Sequence, residues 1–150
     1  AMLPFCGYNM ADYWTHWLNL GHKVGKPPLI FRVNWFRKDE HGKFMWPGYG
    51  QNMRALAWIV DRVHGRAGAV ESPFGYMPRF QDIVWDGLAY DKAKFENLME
   101  VNQTSALREI DDQKDFFERF GARVPAGLLQ QRVKVRKRVE GAQPIWHPSI

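Results

Sequence analysis

Cysteine is almost missing from this chain. Cys6 stands alone in 150 residues, which excludes an intrachain disulfide and a zinc site built on cysteine pairs. With no nucleophile motif around it, Cys6 reads as a small buried residue. Long apolar runs are also absent, and none approaches the ~18 residues of a membrane-spanning helix. The opening residues Ala1-Met2-Leu3-Pro4-Phe5 carry no basic segment and do not read as a signal peptide. The expected setting is a reducing cytoplasm with no membrane partner, where the sequon Asn102-Gln103-Thr104 is a chance match. The apolar start, with no polar lead-in, is expected to be a cut from a longer chain.

Metal and phosphate motifs are missing too. His16, His22, His41, His64 and His147 are scattered, with neither an HExxH pattern nor paired spacing. Gly21-His22-Lys23-Val24-Gly25-Lys26-Pro27 has three residues between its glycines where a phosphate loop has four. Pro27 stands where Ser or Thr should meet Mg²⁺, and the segment follows a helix rather than a strand. It is rejected as a phosphate loop. Asp111, Asp112, Asp115 and Glu118 read as the solvated face of a helix, with Arg108 and Asp112 in i,i+4 register.

Charge is one-sided only locally. The formal charge is +5, yet Arg132, Lys134, Arg136, Lys137 and Arg138 lie in one short stretch, and without them the chain is close to neutral. There is no chain-wide basic surface for nucleic acid. Cations near a helix C-terminus complement its dipole, and that reading of the run is preferred.

The chain does hold enough apolar residues, 45% against 25% charged, to fold as a single domain with a core. Periodicity predicts a helix from Asn9 or Ala11 to Leu20, stopped at Gly21. A strand is predicted over Leu29–Phe36 and a short second one around Phe44–Trp46. Asn52 is expected to cap a helix running to about His64. Val70–Leu88 reads as irregular with one or two short strands. Helices follow over about Lys92–Glu100, Ser105–Phe120 and Pro125–Val139, with Pro125 as first helical residue. The fold class is therefore α+β, a small mixed sheet at about residues 29–46 with roughly five helices.

Aromatics are plentiful, at 15% with seven Trp. Phe31, Trp35, Phe36, Phe44, Trp46 and Tyr49 fall within nineteen positions. The plain reading is a hairpin packing rings into a core. Three features favour a flat ligand instead. The rings of Phe36, Phe44 and Tyr49 come from separate backbone segments; Gly48 and Gly50 allow close backbone approach; and Asn52 offers amide donors and an acceptor. Stacking is worth roughly 1–3 kcal/mol per base.

These residues carry a family resemblance. Pro4-Phe5-Cys6-Gly7-Tyr8-Asn9, Asp12-Tyr13, His16-Trp17-Leu18, Ile30 through Asp39, Gly42 through Gly50 and Asn52-Met53-Arg54 together resemble the C-terminal part of GTP-dependent phosphoenolpyruvate carboxykinase. Weaker likeness runs through Gly75-Tyr76-Met77-Pro78 and Gly87-Leu88 and fades in the helical tail. The resemblance implies a fragment of that enzyme's larger nucleotide-binding C-terminal domain over residues 1–150, with a guanine-recognition segment at 33–54 and a helical tail at 92–139. It implies that Phe36 and Tyr49 stack on the two faces of guanine, Phe44 lines its edge, Asn52 reads its polar edge and Trp35 supports. The family's pattern has Phe where this chain has Tyr49, so the stacking face is kept and a hydroxyl added. Phe31 and Trp46 are left to core packing.

The family converts oxaloacetate and GTP to phosphoenolpyruvate, GDP and CO₂. The resemblance implies Mn²⁺ (or Mg²⁺) held by Lys, His and Asp, a phosphate loop, a reactive Cys and substrate-binding arginines, all upstream of this segment. On that basis no catalytic or metal-ligating residue is expected here, and the chain alone should be inactive. Its expected partners are GTP and the rest of the parent enzyme. Self-association through exposed aromatic patches is also expected. Two alternatives stay open: a stand-alone nucleotide-binding module, and a basic nucleic-acid-binding domain using the helix around Arg132–Arg138.

Overall fold

A computed structural model describes residues 2–148. The chain divides into two compact units, one joining Ala1–Pro28 to Gln103–Ala142 and the other joining Leu29–Asn102 to Gln143–Ile150.

The first unit is helical. Helix α1 spans Met10–Lys23, and the Asn9 side chain accepts the Ala11 N–H at its start. Asp12 in the first turn and His22 and Lys23 in the last suit the helix dipole. Gly21 does not stop this helix. It lies inside α1, which ends only where Val24 closes on the Leu20 carbonyl, ahead of Pro27-Pro28. A mid-helix glycine costs only about 1 kcal/mol relative to alanine, less than the packing of Trp14 supplies. That ring lies 4.9 to 6.0 Å from the rings of Phe116, Phe117 and Phe120.

Helix α4 (Gln103–Glu118) packs on α5 (Ala126–Glu140), and Ala106, Ile110 and Val139 are buried. The turn between them uses a positive φ at Gly121, and Pro125 takes the N-cap rather than the first helical position. Arg132 donates to the Ile110 carbonyl at 3.1 Å, and Arg136 donates to Asp111 at 2.6 Å and Glu140 at 2.9 Å. Two of the five clustered cations are thus engaged in holding α5. Asp111 pairs with Arg136 and Glu118 with Lys114, in place of an Arg108–Asp112 pair. The Gln103 amide donates to the carbonyls of Val139 and Glu140 at the end of α5 and of Ala142 just beyond it.

The second unit holds α2 (Asn52–Val63), α3 (Lys92–Met99) and all four short strands. Strands β1 (Val70–Ser72) and β2 (Gly75–Met77) form an antiparallel hairpin, and β3 (Val101–Asn102) pairs antiparallel with β4 (Ile145–Trp146). Its core is Trp58, Ile83 and Phe95, with Phe31, Phe80, Trp85 and Tyr90 packed around them. The indoles do not waste their donors: Trp58 gives its N–H to the Gly68 carbonyl and Trp85 to that of Phe80.

The α+β class with five helices holds among the described residues, but the sheets are two small antiparallel pairs, and neither lies at 29–46. Leu29–Phe36 forms no strand. Ile30 is 92% exposed with no segment paired beside it, and only Phe31 turns in, edge-on to Trp58 at 6.0 Å. The Asn34 side chain then takes the Phe36 N–H at 2.9 Å and turns the chain. Beyond it, a single bridge joins Lys38 to Phe44. The Asp39 carboxylate gathers the N–H groups of His41 and Lys43, and Gly42 adopts φ 76°. A side-chain-stabilised loop therefore stands where a ladder was expected.

The accessible surface is 10,813 Å². A compact monomer of this mass exposes about 7,900 Å², and two separate half-sized globules about 9,500 Å². Even counted as independent units, the chain carries surplus surface, and Phe5, Tyr8, Trp17 and Tyr76 are among the rings exposed on it.

Candidate functional site

The second unit displays the aromatic run on two short segments. The Asn34 turn presents Phe36, and the return of the Asp39 loop presents Phe44. Their rings meet edge-to-face at 6.1 Å, and they remain 71% and 52% exposed. The Lys38 ammonium lies 5.1 Å from the Phe44 ring centroid, within cation–π range. Gly48 takes φ 112°, a conformation closed to side chains, and starts the 3-10 turn Tyr49–Gln51 that leads into α2. Tyr49 is 91% exposed. Among the described residues its ring touches neither Phe36 nor Phe44, so the structure joins two of the three expected rings and leaves the third apart.

Asn52 is not a cap. It is the first residue of α2, Gln51 holds the N-cap position, and the Asn52 N–H donates to the Tyr49 carbonyl. Its side chain is committed elsewhere, because Oδ1 accepts the Trp46 indole N–H at 2.8 Å. An indole nitrogen only donates, which fixes the amide with its oxygen toward Trp46 and its two N–H donors turned away.

Trp46 is the residue that sequence reasoning undervalued. It is 7% exposed, as a core residue should be, but its polar edge serves Asn52. Trp35 lies against it at 5.5 Å and Trp85 at 6.4 Å, and Trp85 stacks on Tyr90 at 5.1 Å. These rings connect the displayed segment to the core. Arg54, one turn into α2, also fixes the entry: it donates to Gln51 Oε1 and to the carbonyls of Val84 and Asp86.

Two groups at the start of α3 have displaced acidities. Burial pushes the Tyr90 phenol up, and the neighbouring Asp91 charge adds to it. Asp91 is held low chiefly by the Lys94 backbone N–H, which it caps at 2.8 Å.

A polar cleft of about 360 Å³ lies nearby, lined by Arg37, Lys38, Asp39, Glu40, Met45, Asn97 and Glu100. None of Phe36, Phe44, Tyr49 or Asn52 lines it. Arg37 donates to the Leu98 and Glu100 carbonyls at 2.8 Å and pairs with the Glu100 carboxylate at 3.4 Å. Its charge closes the end of α3. Cys6 is half-buried, its thiol directed to the Tyr8 carbonyl. No helix is long and apolar enough to cross a membrane, and no cluster of three or more His, Cys, Asp or Glu gathers at metal-binding range, both among the described residues.

The class these observations define is an α+β unit that carries exposed rings and an amide oriented by Trp46. The particular family is shown by comparison: residues 1–138 match the phosphoenolpyruvate carboxykinase C-terminal P-loop domain, and the chain belongs to that family. It is 42% identical over 144 residues to the phosphoenolpyruvate carboxykinase [GTP] of Corynebacterium jeikeium strain K411. It is 43% identical over 146 residues to that of Treponema pallidum strain Nichols, and 42% over 145 to that of Neocallimastix frontalis. Each alignment covers 95% of this chain and 24% of the relative, so the chain spans about a quarter of the length of these proteins.

Proposed function

We propose that this chain is the guanine-recognising part of a cytoplasmic GTP-dependent phosphoenolpyruvate carboxykinase. The parent reaction converts oxaloacetate and GTP to phosphoenolpyruvate, GDP and CO₂, in the direction of gluconeogenesis. Residues 33–54 form the base-recognition segment, and residues 92–139 brace the domain as a helical tail. Phe36 and Tyr49 stack on the two faces of the base, Phe44 lines its edge, Trp35 supports and Asn52 reads the polar edge.

The observation that carries this reading is the Trp46–Asn52 bond at 2.8 Å, in the same unit as the exposed Phe36 and Phe44 rings. The bond turns the amide N–H donors away from Trp46, and in this reading they meet the base edge. Guanine offers a carbonyl oxygen at C6, whereas adenine offers an amino group that repels those donors. The rings suit either purine, so the amide is the discriminating part.

Phosphoryl transfer is driven by metal ions and cationic groups positioned on the phosphates. In this reading the Mn²⁺ or Mg²⁺ ligands and the phosphate loop belong to the portion of the parent outside this chain, and the chain alone does not turn over. The surplus surface is the face that portion covers. A stand-alone nucleotide module would share the base site but would not need that portion. The nucleic-acid reading is disfavoured because Arg132 and Arg136 are engaged with α4.

Calorimetric titration with GTP and ATP tests the site. GTP should bind more tightly than ATP, and Phe36→Ala or Tyr49→Ala should weaken GTP by at least tenfold, the loss of one stacked face. Unchanged GTP affinity in both variants would remove the ring assignment. Adding the complementary portion of a relative separates the fragment from the stand-alone module, since only the fragment should gain carboxykinase activity.

A further inference from the structure

We propose that Trp46 is a specificity-determining positioning residue, which selects the base at C6 by locking the orientation of the Asn52 amide. The inference rests on the guanine reading above and deepens it. An asparagine amide is nearly symmetric in shape but opposite in polarity at its two ends. Free to flip, it would offer an oxygen to adenine as readily as a nitrogen to guanine, and would discriminate little. Some neighbour must hold it.

That neighbour is Trp46. Its indole N–H donates to Asn52 Oδ1 at 2.8 Å. A flip would set the amide N–H₂ against the indole N–H, donor facing donor, and forfeit the bond in a half-buried setting. The indole itself has little freedom to move aside. Trp46 is 7% exposed and wedged between Trp35 at 5.5 Å and Trp85 at 6.4 Å. The Tyr90 hydroxyl also grips the carbonyl of the preceding residue, Met45, at 2.9 Å. On the other side, Asn52 is fixed by its place as the first residue of α2 and by its N–H bond to the Tyr49 carbonyl. Core packing is thus converted into a choice at the base edge, by a residue that need not touch the base.

The test uses the 150-residue chain with GTP and with 2,6-diaminopurine riboside triphosphate. This analogue keeps the 2-amino group of guanine and replaces the C6 carbonyl by an amino group. The unsubstituted chain should prefer GTP. Trp46→Phe keeps a ring and removes the donor; it should lower the preference by about tenfold, the worth of one hydrogen bond. Asn52→Ala should lower it to a similar extent, and the double variant should lose nothing further, because Trp46 acts through Asn52. A merely structural role would weaken both nucleotides alike and add to the Asn52→Ala loss; either result overturns the proposal.

Solvent exchange of the Trp46 indole N–H, followed by NMR, needs no core substitution. Exchange should be slow in the unsubstituted chain and accelerate in Asn52→Ala, and equal rates would also overturn the proposal. If the unsubstituted chain shows no preference, including no binding, the guanine reading itself fails. If Asn52→Ala abolishes the preference and Trp46→Phe preserves it, the Trp46 assignment alone fails.

Discussion

The Tyr90 hydroxyl donates to the Met45 carbonyl at 2.9 Å, so a residue beside α3 fixes the backbone next to Trp46. Burial favours the neutral phenol, and the Asp91 charge disfavours the phenolate further, so Tyr90 ionises above the ordinary value of 10.0. A folded-state value raised above the unfolded one contributes stability that is complete below about pH 10. That contribution is lost as pH rises through the folded value. Among the five tyrosines, the phenol that ionises last in a 295-nm alkaline titration should vanish in Tyr90→Phe. The same variant should lose about 1 kcal/mol at neutral pH in urea unfolding.

Phe95 and Phe36 are both phenylalanines, with opposite expected behaviour. Phe95 is 1% exposed between Phe80 and Trp85, and Phe95→Ala should cost about 3–5 kcal/mol. Phe36→Ala should stay within about 0.5 kcal/mol of the unsubstituted chain, as expected for a surface position. Parallel denaturation curves decide this. A large loss for Phe36→Ala would mean that its ring serves the fold rather than a ligand.

Acid should loosen α3 through one carboxylate. Asp91 caps the Lys94 N–H, and that bond holds its pKa below the ordinary value of 3.8. Its contribution is present above the unfolded value and disappears as pH falls through the lowered one. Asp91→Ala should therefore flatten the acid limb of stability against pH. Amide exchange in the first turn of α3 should quicken at neutral pH and become indifferent to the substitution in strong acid.

The last turn of α5 depends on a side chain from α4. Gln103→Ala removes the donors serving the Val139, Glu140 and Ala142 carbonyls and should cost about 1–2 kcal/mol. Gln103→Glu should be worse, because it sets a negative charge against the negative end of the helix dipole. Thermal unfolding of the two variants gives the order directly.

Periodicity located the helices but did not always name the face they bury. In α1 the spacing includes Trp14, which packs on the Phe116, Phe117 and Phe120 rings, whereas in α2 the apolar spacing of Met53, Leu56, Ala57, Val60 and Val63 marks a face that lies exposed, and Trp58 is buried instead. The 29–46 region misled for a physical reason. Its β-branched and aromatic residues satisfy strand composition, but a strand also requires a partner, and Asn34 and Asp39 divert the backbone donors into turns. The aromatic run itself was legible, and Phe36 and Phe44 do meet edge-to-face on the surface. The Trp46–Asn52 bond was not, since the two residues lie six positions apart across a Pro-Gly turn, and sequence does not show which polar edges will meet.

Trp35, Trp46 and Trp85 form a row with centroid spacings of 5.5 and 6.4 Å, running from beside Phe36 into the core. Indoles that close exchange excitation before they emit, so the row behaves as one chromophore with one end near the surface. A base settling beside Trp35 would draw on light absorbed deep inside the unit. On the proposed base site, the residues that hold the unit together would then also report its occupancy as a change in tryptophan emission.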